Sequence, residues 1–559
     1  WRQVPDTTAN NFATLNPLGS GVLNRTGGTT PSATYSNGNL TAVLTQDSSS
    51  ARSTIGVSTG KWYWEVRYDV NSSSPGNGIV GLTSAGTSYD DIAGASYEPR
   101  SDRFRKGGVT FYDGSNDKTS NGLIVGVALD KNVGIISFFA DGVNQTNGTM
   151  IGINTLSDYH LPECFTYNDG ASNTFSWNFG QNPTFSGNTT AGTFTDANGK
   201  GLFKYQPPSG FLALCEDNLP TPAISDPGKY FKTVLYTGDG ASGRSIVGVG
   251  FTCDLVWIKL RDVSQSHYIF DSVRGAATYI QSDGTGAEVG ITSSLTSFNS
   301  DGFSYGNFAG GNYNTGKYVA WCWKAGAGTT STNTNGSITS VVSVNQDAGF
   351  SIVSYTGTGS AGTVGHGLGK APSFIIIKRR SGISDWAVYH KTIGTTGALL
   401  LNSTSATDTN RLPYWNDTVP TITTLGLGNG NNVNASSSNY IAYCWAEIEG
   451  FSKFGSYVGN GNADGPFVYC GFKPAVVITK RTDSTGNWFI LDSSRMSVNS
   501  SNTPTLFPNT SGIELGTDVM DFLSNGFKFR STGTDYNASG GTYIFAAWAE
   551  SPFQTANSK

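Results

Sequence analysis

Histidine is the scarcest of the residues that could do chemistry in this 559-residue chain, present only as His160, His267, His366 and His390. A general base needs a nucleophile or carboxylate held beside it at fixed geometry. His390 instead stands where two related segments carry an acid, Asp271-Ser-Val-Arg274 and Asp492-Ser-Ser-Arg495. An Asp and an Arg three apart after an aromatic strand read as a charge-assisted loop tie. Their replacement by His390 and Ile393 in the middle segment argues against shared catalysis. Asp90-Asp91 is a carboxylate pair, but glycosidase chemistry needs two carboxylates that face at a set separation. No phosphate loop and no Asp-x-Asp-x-Asp-Gly calcium loop stands out. Cys164, Cys215, Cys253, Cys322, Cys444 and Cys470 lie far apart without a Cys-x-x-Cys pair, which reads as buried thiols rather than a zinc site. The expectation is a protein without metal, cofactor or enzymatic activity.

One segment departs from the charge-poor background. Tyr97-Glu-Pro-Arg100-Ser-Asp-Arg103-Phe-Arg105-Lys106 gathers four basic groups and two aromatics. Arg beside aromatic rings suits recognition of acidic or planar groups, so Tyr97, Arg100, Arg103 and Arg105 are the candidate ligand-binding residues. The competing reading is a solvated or internally paired loop.

The surrounding elements must be strands. Charged residues make 13% of the chain, about half the usual share, while 72 glycines and 12% aromatics favour tight turns and packed cores. Helical bundles need Ala, Glu, Lys and Leu in quantity, and charge-driven disorder does not fit 37% hydrophobic residues with 12 Trp. A net charge of −5 and a pI near 5.5 leave no basic face for nucleic acid. No apolar run approaches the ~20 residues that span a bilayer, so no membrane insertion is expected. The chain opens on Trp1 with neither Met nor a charged-then-apolar leader, which reads as an upstream stretch removed or left out.

Residues 1–186 read as one β-sandwich. Trp62, Trp64, Val66 and Tyr68 alternate with Lys61, Glu65 and Arg67, the pattern of a half-buried strand. Residues 126–130 and 134–139 read as a hairpin, Asp141-Gly142 as the next tight turn, and Phe175-Ser-Trp-Asn-Phe179 as a further strand. Residues 187–229, with five prolines, read as a stiff linker whose Phe203, Tyr205, Phe211 and Leu212 pack back onto a neighbour.

The remainder repeats. Tyr236-Thr-Gly-Asp-Gly240 returns as Tyr355-Thr-Gly-Thr-Gly359 and Tyr457-Val-Gly-Asn-Gly461. A basic residue ends an apolar strand 25, 25 and 24 residues later, at Arg261, Arg380 and Arg481. Each unit closes on Tyr-x-x-x-x-Trp: Tyr318/Trp323, Tyr440/Trp445 and Tyr543/Trp548. These spacings define three homologous modules, 230–326, 349–449 and 450–559, with 327–348 as a second linker. Phe374-Ile-Ile-Ile377 is continuous enough for burial on both faces. Each module is expected to be an all-β sandwich able to bury a core alone, strung as beads rather than stacked as a solenoid. The fold class expected is therefore an all-β multidomain chain of antiparallel β-sandwiches.

The N-terminal series resembles the SPRY family, a concanavalin-like β-sandwich (jelly roll). It has Gly60-Lys-Trp-Tyr-Trp-Glu65-Val66, Gly78-Ile-Val-Gly-Leu82, Gly126-Val-Ala-Leu-Asp130 and Phe138-Phe-Ala-Asp-Gly142. In that family, loops at one rim usually bind the partner. Farther on come His366-Gly-Leu-Gly-Lys-Ala-Pro372, Trp386-Ala-Val-Tyr-His-Lys391, Tyr414-Trp-Asn-Asp-Thr418, Gly450-Phe-Ser-Lys-Phe-Gly-Ser-Tyr457 and Asp464-Gly-Pro-Phe-Val-Tyr469. This series resembles repeat modules of structural proteins in tailed bacteriophages, often combined with SPRY-like domains. Asn11-Phe-Ala-Thr-Leu-Asn-Pro17 and Pro207-Pro-Ser-Gly-Phe211 are similar to such chains too.

The resemblance implies a virion component assembled in the host bacterial cytoplasm and displayed on the particle surface. A tail fibre or appendage engaged in host recognition and adhesion is the first reading; a capsid or neck decoration is the alternative, and a surface polysaccharide hydrolase a third. The expected partners are other virion proteins and a host-surface glycan or receptor, with a homo-oligomer, trimer favoured. Contact with sugars would come from exposed Trp and Tyr stacking on ring faces, with Asn, Asp and Arg bonding hydroxyls.

Overall fold

The computed structural model describes residues 11–17, 33–45, 49–70, 77–84, 94–107, 109–114, 121–153, 159–167, 172–410, 412–496, 502–517 and 519–553. Asp90-Asp91 and Trp1 lie outside the described residues. The protein is all-β, built from antiparallel sheets. It divides into two compact units, residues 1–221 with Pro466–Tyr469, and Pro222–Gly465 with Cys470–Lys559.

The first unit is a sandwich of a nine-stranded and a six-stranded sheet. Strand Lys61–Val70 lies mid-sheet, between Leu123–Asp130 and Asn173–Asn178, with Trp64 opposite Val127 and Val66 opposite Trp177. The hairpin expected from the sequence joins Leu123–Asp130 to Ile135–Ala140. Asp141 and Gly142, both with positive φ (46° and 79°), then turn the chain so that Ala140 pairs with Val143. Two left-handed residues match the twist of the flanking strands, which is why Asp-Gly occupies that turn.

One face of Lys61–Val70 differs from the alternation reading. Tyr63 and Glu65 are buried rather than facing solvent. Residues 202–213 cover them: Phe203 meets the Tyr63 ring edge-on at 5.2 Å, and Leu212-Ala213 pair in parallel with Trp62-Tyr63. The Pro-rich segment thus contributes core to this unit.

In the second unit each module has the same four-strand core order: first, last, second, third. The strands are Phe231–Thr237, Lys317–Trp323, Leu255–Leu260 and Tyr268–Asp271 in module 1. They are Phe350–Thr356, Asn439–Trp445, Phe374–Arg379 and Ala387–His390 in module 2. They are Ser452–Val458, Thr542–Pro552, Phe472–Arg481 and Trp488–Asp492 in module 3. A smaller sheet covers one face, formed by Gly302–Tyr305 and its neighbours, by Gly362–Gly365 with Thr424–Leu427, and by Met520–Leu523 with Gly526–Phe529. Residues 327–348, linker-like in their Ser, Thr and Asn content, supply strands Ser331–Asn333 and Ser340–Asn345, which extend the module 2 sheet.

The modules are not separate beads. Trp323, Trp445 and Trp548, equivalent residues of the three last strands, meet one another edge to face. Their ring centroids are 6.0, 5.5 and 5.4 Å apart, and none is more than 3% exposed. Phe231, Phe350, Phe374 and Phe454 pack around them. The second face of each main sheet is therefore covered by the other two modules, and three sandwiches close into one ring around a shared aromatic centre.

Candidate functional site

The rim hairpin carries the four residues singled out from the sequence. Tyr97 is fully buried, its ring stacked on Phe104 at 4.5 Å and its hydroxyl donating to Asp102 Oδ1 (3.3 Å). It presents no surface to a ligand, which corrects the expectation: Tyr97 and Phe104 are cross-strand partners pointing into the sandwich. Arg103 and Arg105 converge on the buried Glu98 (3.4 and 3.6 Å), and Arg103 also grips Asp113 (3.0 and 3.2 Å). Arg100 is half-buried in the one-turn helix Pro99–Ser101. The basic run is thus offset by Glu98, Asp102 and Asp113 in its own fold.

Three features of this unit invite a catalytic reading. Glu65 accepts bonds from the Lys204 and Tyr205 amides (2.9 and 2.8 Å), Asn178 Nδ2 (3.1 Å) and the Tyr63 hydroxyl (3.2 Å). Burial pushes its carboxyl up to about 7 against those donors, and the two amides among them dock residues 204–205. Gly56-Val-Ser-Thr-Gly60 has nucleophile-elbow spacing, but it leads into strand Lys61–Val70 rather than a helix. His160, bonded to Val57 through main chain, turns Nδ1 to Lys131 Nζ (3.1 Å), and burial pushes it down to about 3. A ring kept neutral against an ammonium is a core histidine, not a poised base.

The residues repeated among the modules are structural in each. The paired tyrosines stack at 5.0, 5.2 and 4.9 Å, nearly parallel: Tyr236/Tyr318, Tyr355/Tyr440 and Tyr457/Tyr543. A buried Asn six residues before the second Tyr was not apparent as a motif: Asn312, Asn434 and Asn537. Each takes the amide after the first turn glycine (2.9, 2.8 and 2.9 Å) and donates to main-chain carbonyls on two sides. Gly238 rests so close on this segment that a Cβ would lie 2.1 Å from Tyr313 O, and Gly240 holds φ +69°. Both glycines of Tyr-x-Gly-x-Gly are thereby required.

Chemistry does concentrate at the module junctions. Asp271, His390 and Asp492 are equivalent, each opposite the residue that pairs with the axial Trp. Each reaches the last strand of the next module. Asp271 accepts from the Tyr443 hydroxyl (2.7 Å), and Asp492 accepts from Trp321 Nε1 (3.0 Å). At the third junction the facing residue is Ala546, which offers no donor. There His390 bonds the Phe545 carbonyl (3.1 Å) through Nε2, its Nδ1 accepting from the Thr392 amide (3.2 Å). Burial pushes His390 down to about 4, so it stays neutral with the proton on Nε2. A carboxylate facing a carbonyl would repel it; an imidazole N–H satisfies it. Arg274 and Arg495, with side chains as fully buried as their partners, fix the two aspartates from within their own modules.

Farther from the axis Arg380 forks onto Glu288 (2.8 and 3.1 Å) and Arg261 onto Glu514 (2.8 and 2.7 Å), where Arg495 joins (3.0 Å). Module 3 and module 1 have no direct chain connection, and that closing junction carries the three-member cluster. Between modules 2 and 3, which are consecutive, Thr407 and Thr482 meet by main chain alone (3.0 Å), while Glu447 ties Lys391 to Lys453 (2.6 Å each).

Three further equivalents are buried lysines. Lys378 donates to Thr285 O of the adjoining module (2.9 Å), Lys480 to Thr404 O (3.2 Å) and Lys259 to Ser511 O (3.4 Å). Burial pushes all three down to about 8, against the pull of Asp283, Glu514 and Asp262 on Lys259, Asp385 on Lys378, and Asp535 and Asp483 on Lys480; Arg379 and Arg481 add to the depression. Above pH 8 the unfolded chain therefore holds more protons than the folded one, and stability rises with pH toward the unfolded lysine value near 10.5. Buried cysteines oppose this from about pH 8 and buried tyrosines from about pH 9, since their folded values are raised above the unfolded ones. Set against a Lys378→Met variant, which carries the same cysteines, the intact chain is expected to gain on the order of 1 kcal/mol in urea denaturation from pH 7.5 to 9. A flat or falling difference over that window would contradict the assignment of Lys378, and Lys259→Met and Lys480→Met test the other two in the same way.

Among the described residues, no cluster of His, Cys, Asp and Glu could hold a metal, and no helix is long and apolar enough to cross a membrane. No curated protein matches the chain. Among solved structures, stonustoxin is 16% identical over 30% of this chain and 27% of its own, with a TM-score of 0.22. The SPRY domain of human HERC1 is 14% identical over 29% of this chain and 96% of its own, also at 0.22. These are weak structural similarities. A family model described as Domain of unknown function (DUF7483) matches residues 226–552, more than half of the chain, and takes in the three modules as one block. The chain belongs to that family.

Proposed function

We propose that the chain is a non-enzymatic structural and adhesive component of a bacteriophage virion, a tail fibre or appendage protein that contacts host-surface glycan or protein. One observation carries the non-enzymatic part: the polar residues repeated across the modules are engaged in holding turns and junctions, with His390 adapted to a carbonyl rather than a substrate. A ring of three sandwiches locked on an aromatic axis suits a stiff, low-charge surface module. The phage resemblance of the repeat motifs supplies the virion context.

The mode of adhesion changes from the sequence expectation. All eleven described tryptophans are buried, so none stacks on a sugar. Among the described residues, exposed aromatic surface falls to Phe111, Tyr313 and Phe194 (58, 49 and 39% exposed). That burial favours a second reading, a capsid or neck decoration whose role is mainly mechanical. Quantitative mass spectrometry of the particle carrying this chain separates the two: a fibre is expected at a few copies per virion, and dozens to hundreds would sink the fibre reading. Recombinant chain that releases reducing sugar from host polysaccharide would overturn the non-enzymatic reading.

A further inference from the structure

Positions that repeat among the modules hold the fold, so positions that diverge at exposed sites are where a module can acquire a task of its own. The clearest divergence follows the buried Asn. Tyr313-Asn314 in module 1 corresponds to Ala435-Ser436 and Ala538-Ser539. The three main chains are held alike, each first residue donating its amide to the second tyrosine of its module (2.7, 2.7 and 2.8 Å). Only in module 1 is the side chain aromatic, and it is 49% exposed.

The turn beneath it diverges in the same module. Asp239 stands where the others have Thr358 and Asn460. Its Oδ1 accepts from the Ala241 amide and Asn312 Nδ2 (2.9 Å each), and its Oδ2 from Arg244 Nη1 (2.7 Å). These bonds hold its carboxyl down at about 2, so it is ionised at any ordinary pH. Both partners remain wet: the Asp239 and Arg244 side chains are 43% and 27% exposed. Exposed Asn314 lies directly over Gly240, whose Cβ position is 3.2 Å from Asn314 Cβ. An aromatic side chain, a carboxylate with a lone pair to spare, a guanidinium and an amide are thus carried on two adjoining turns, which the buried Asn312 ties together.

We propose that Tyr313, Asn314, Asp239 and Arg244 form a carbohydrate subsite that takes one pyranose of a surface polysaccharide. The apolar C–H face of the sugar stacks on Tyr313. Ring hydroxyls donate to Asp239 and accept from Arg244 and Asn314. Two charged groups already paired with each other favour a neutral sugar over an acidic one, because neither is left to be neutralised. This subsite rests on the adhesive reading above and names the place where it acts.

The test applies the intact chain to an array of purified bacterial surface polysaccharides, with Tyr313→Ala, Tyr313→Phe and Asp239→Asn alongside. Alanine is the native residue at this position in the other two modules, so Tyr313→Ala is expected to leave the unfolding midpoint unchanged. It is expected to lose binding by roughly tenfold, while Tyr313→Phe keeps it, since stacking needs the ring and not the hydroxyl. Asp239→Asn is expected to weaken binding several-fold. If the parent binds and Tyr313→Ala binds equally well, the subsite is overturned and the adhesive reading stands. If the parent binds neither polysaccharide nor host cells, both fall together.

Discussion

Asp492→Ala is expected to destabilise the three-module unit by about 3–5 kcal/mol, a large part of the 5–15 kcal/mol that holds an ordinary domain. The carboxylate serves two buried donors at once, Arg495 Nε at 2.6 Å and Trp321 Nε1 at 3.0 Å. Removing it leaves a guanidinium that is wholly buried, with Glu514, the Ile490 carbonyl and the face of the Trp321 ring as its remaining partners. The indole of the next module loses its acceptor in the same step. Breaking one side of a buried pair costs far more than the pair itself contributes, because the orphaned charge stays desolvated. Asp492→Asn keeps an acceptor for Trp321 without the charge and is expected to fall between. Urea denaturation of the two variants and the parent reads both effects; a loss under 1 kcal/mol for the alanine variant would mean that this junction is not held by its carboxylate.

Trp548→Ala is the second large effect, about 3–5 kcal/mol for a buried indole truncated to a methyl. What distinguishes this site is whose core it empties. Trp548 lies 5.4 and 5.5 Å from Trp323 and Trp445, 6.3 Å from Phe231, and 5.5 Å from Phe454 of its own module. The cavity opens into all three modules, and no single module can collapse to refill it. Trp548→Phe, which retains a ring, is expected to cost about 1–2 kcal/mol. Guanidinium midpoints for the two variants measure this, and equal losses for alanine and phenylalanine would show that the indole does not fill the axis.

Strands and repeats were legible in the sequence because their signals are local. Alternation of two marks a strand, and the recurrence of Tyr-x-Gly-x-Gly and Tyr-x-x-x-x-Trp at constant spacing marks a module. Closure of the ring was not legible, although one trace of it stood in the open. Phe374-Ile-Ile-Ile377 is apolar on both faces, and a lone sandwich can cover only one; the second cover had to come from outside the module. The buried Asn six residues before each second Tyr has the same constant spacing and escaped notice because Asn is common throughout these turns. Tyr97 looked like a contact residue for being set among arginines, yet its partner is Phe104 across the hairpin, with the charges turned to Glu98 and Asp113. Glu65 looked solvated because it is charged, but the amides that receive it lie some 140 residues later, a pairing that no local pattern encodes. Tyr313 and Asp239 are the converse case: they become visible only when three modules are superposed and the fold's own residues are subtracted.

The shared aromatic centre makes the three modules one cooperative unit. Hydrogen exchange read by mass spectrometry on the intact chain and on Trp548→Ala tests it most directly. The last strands Lys317–Trp323, Asn439–Trp445 and Thr542–Pro552 are expected to share one opening free energy in the parent, and to lose protection together in the variant. Loss confined to Thr542–Pro552, with the other two strands protected as before, would contradict the ring and return the modules to independent beads.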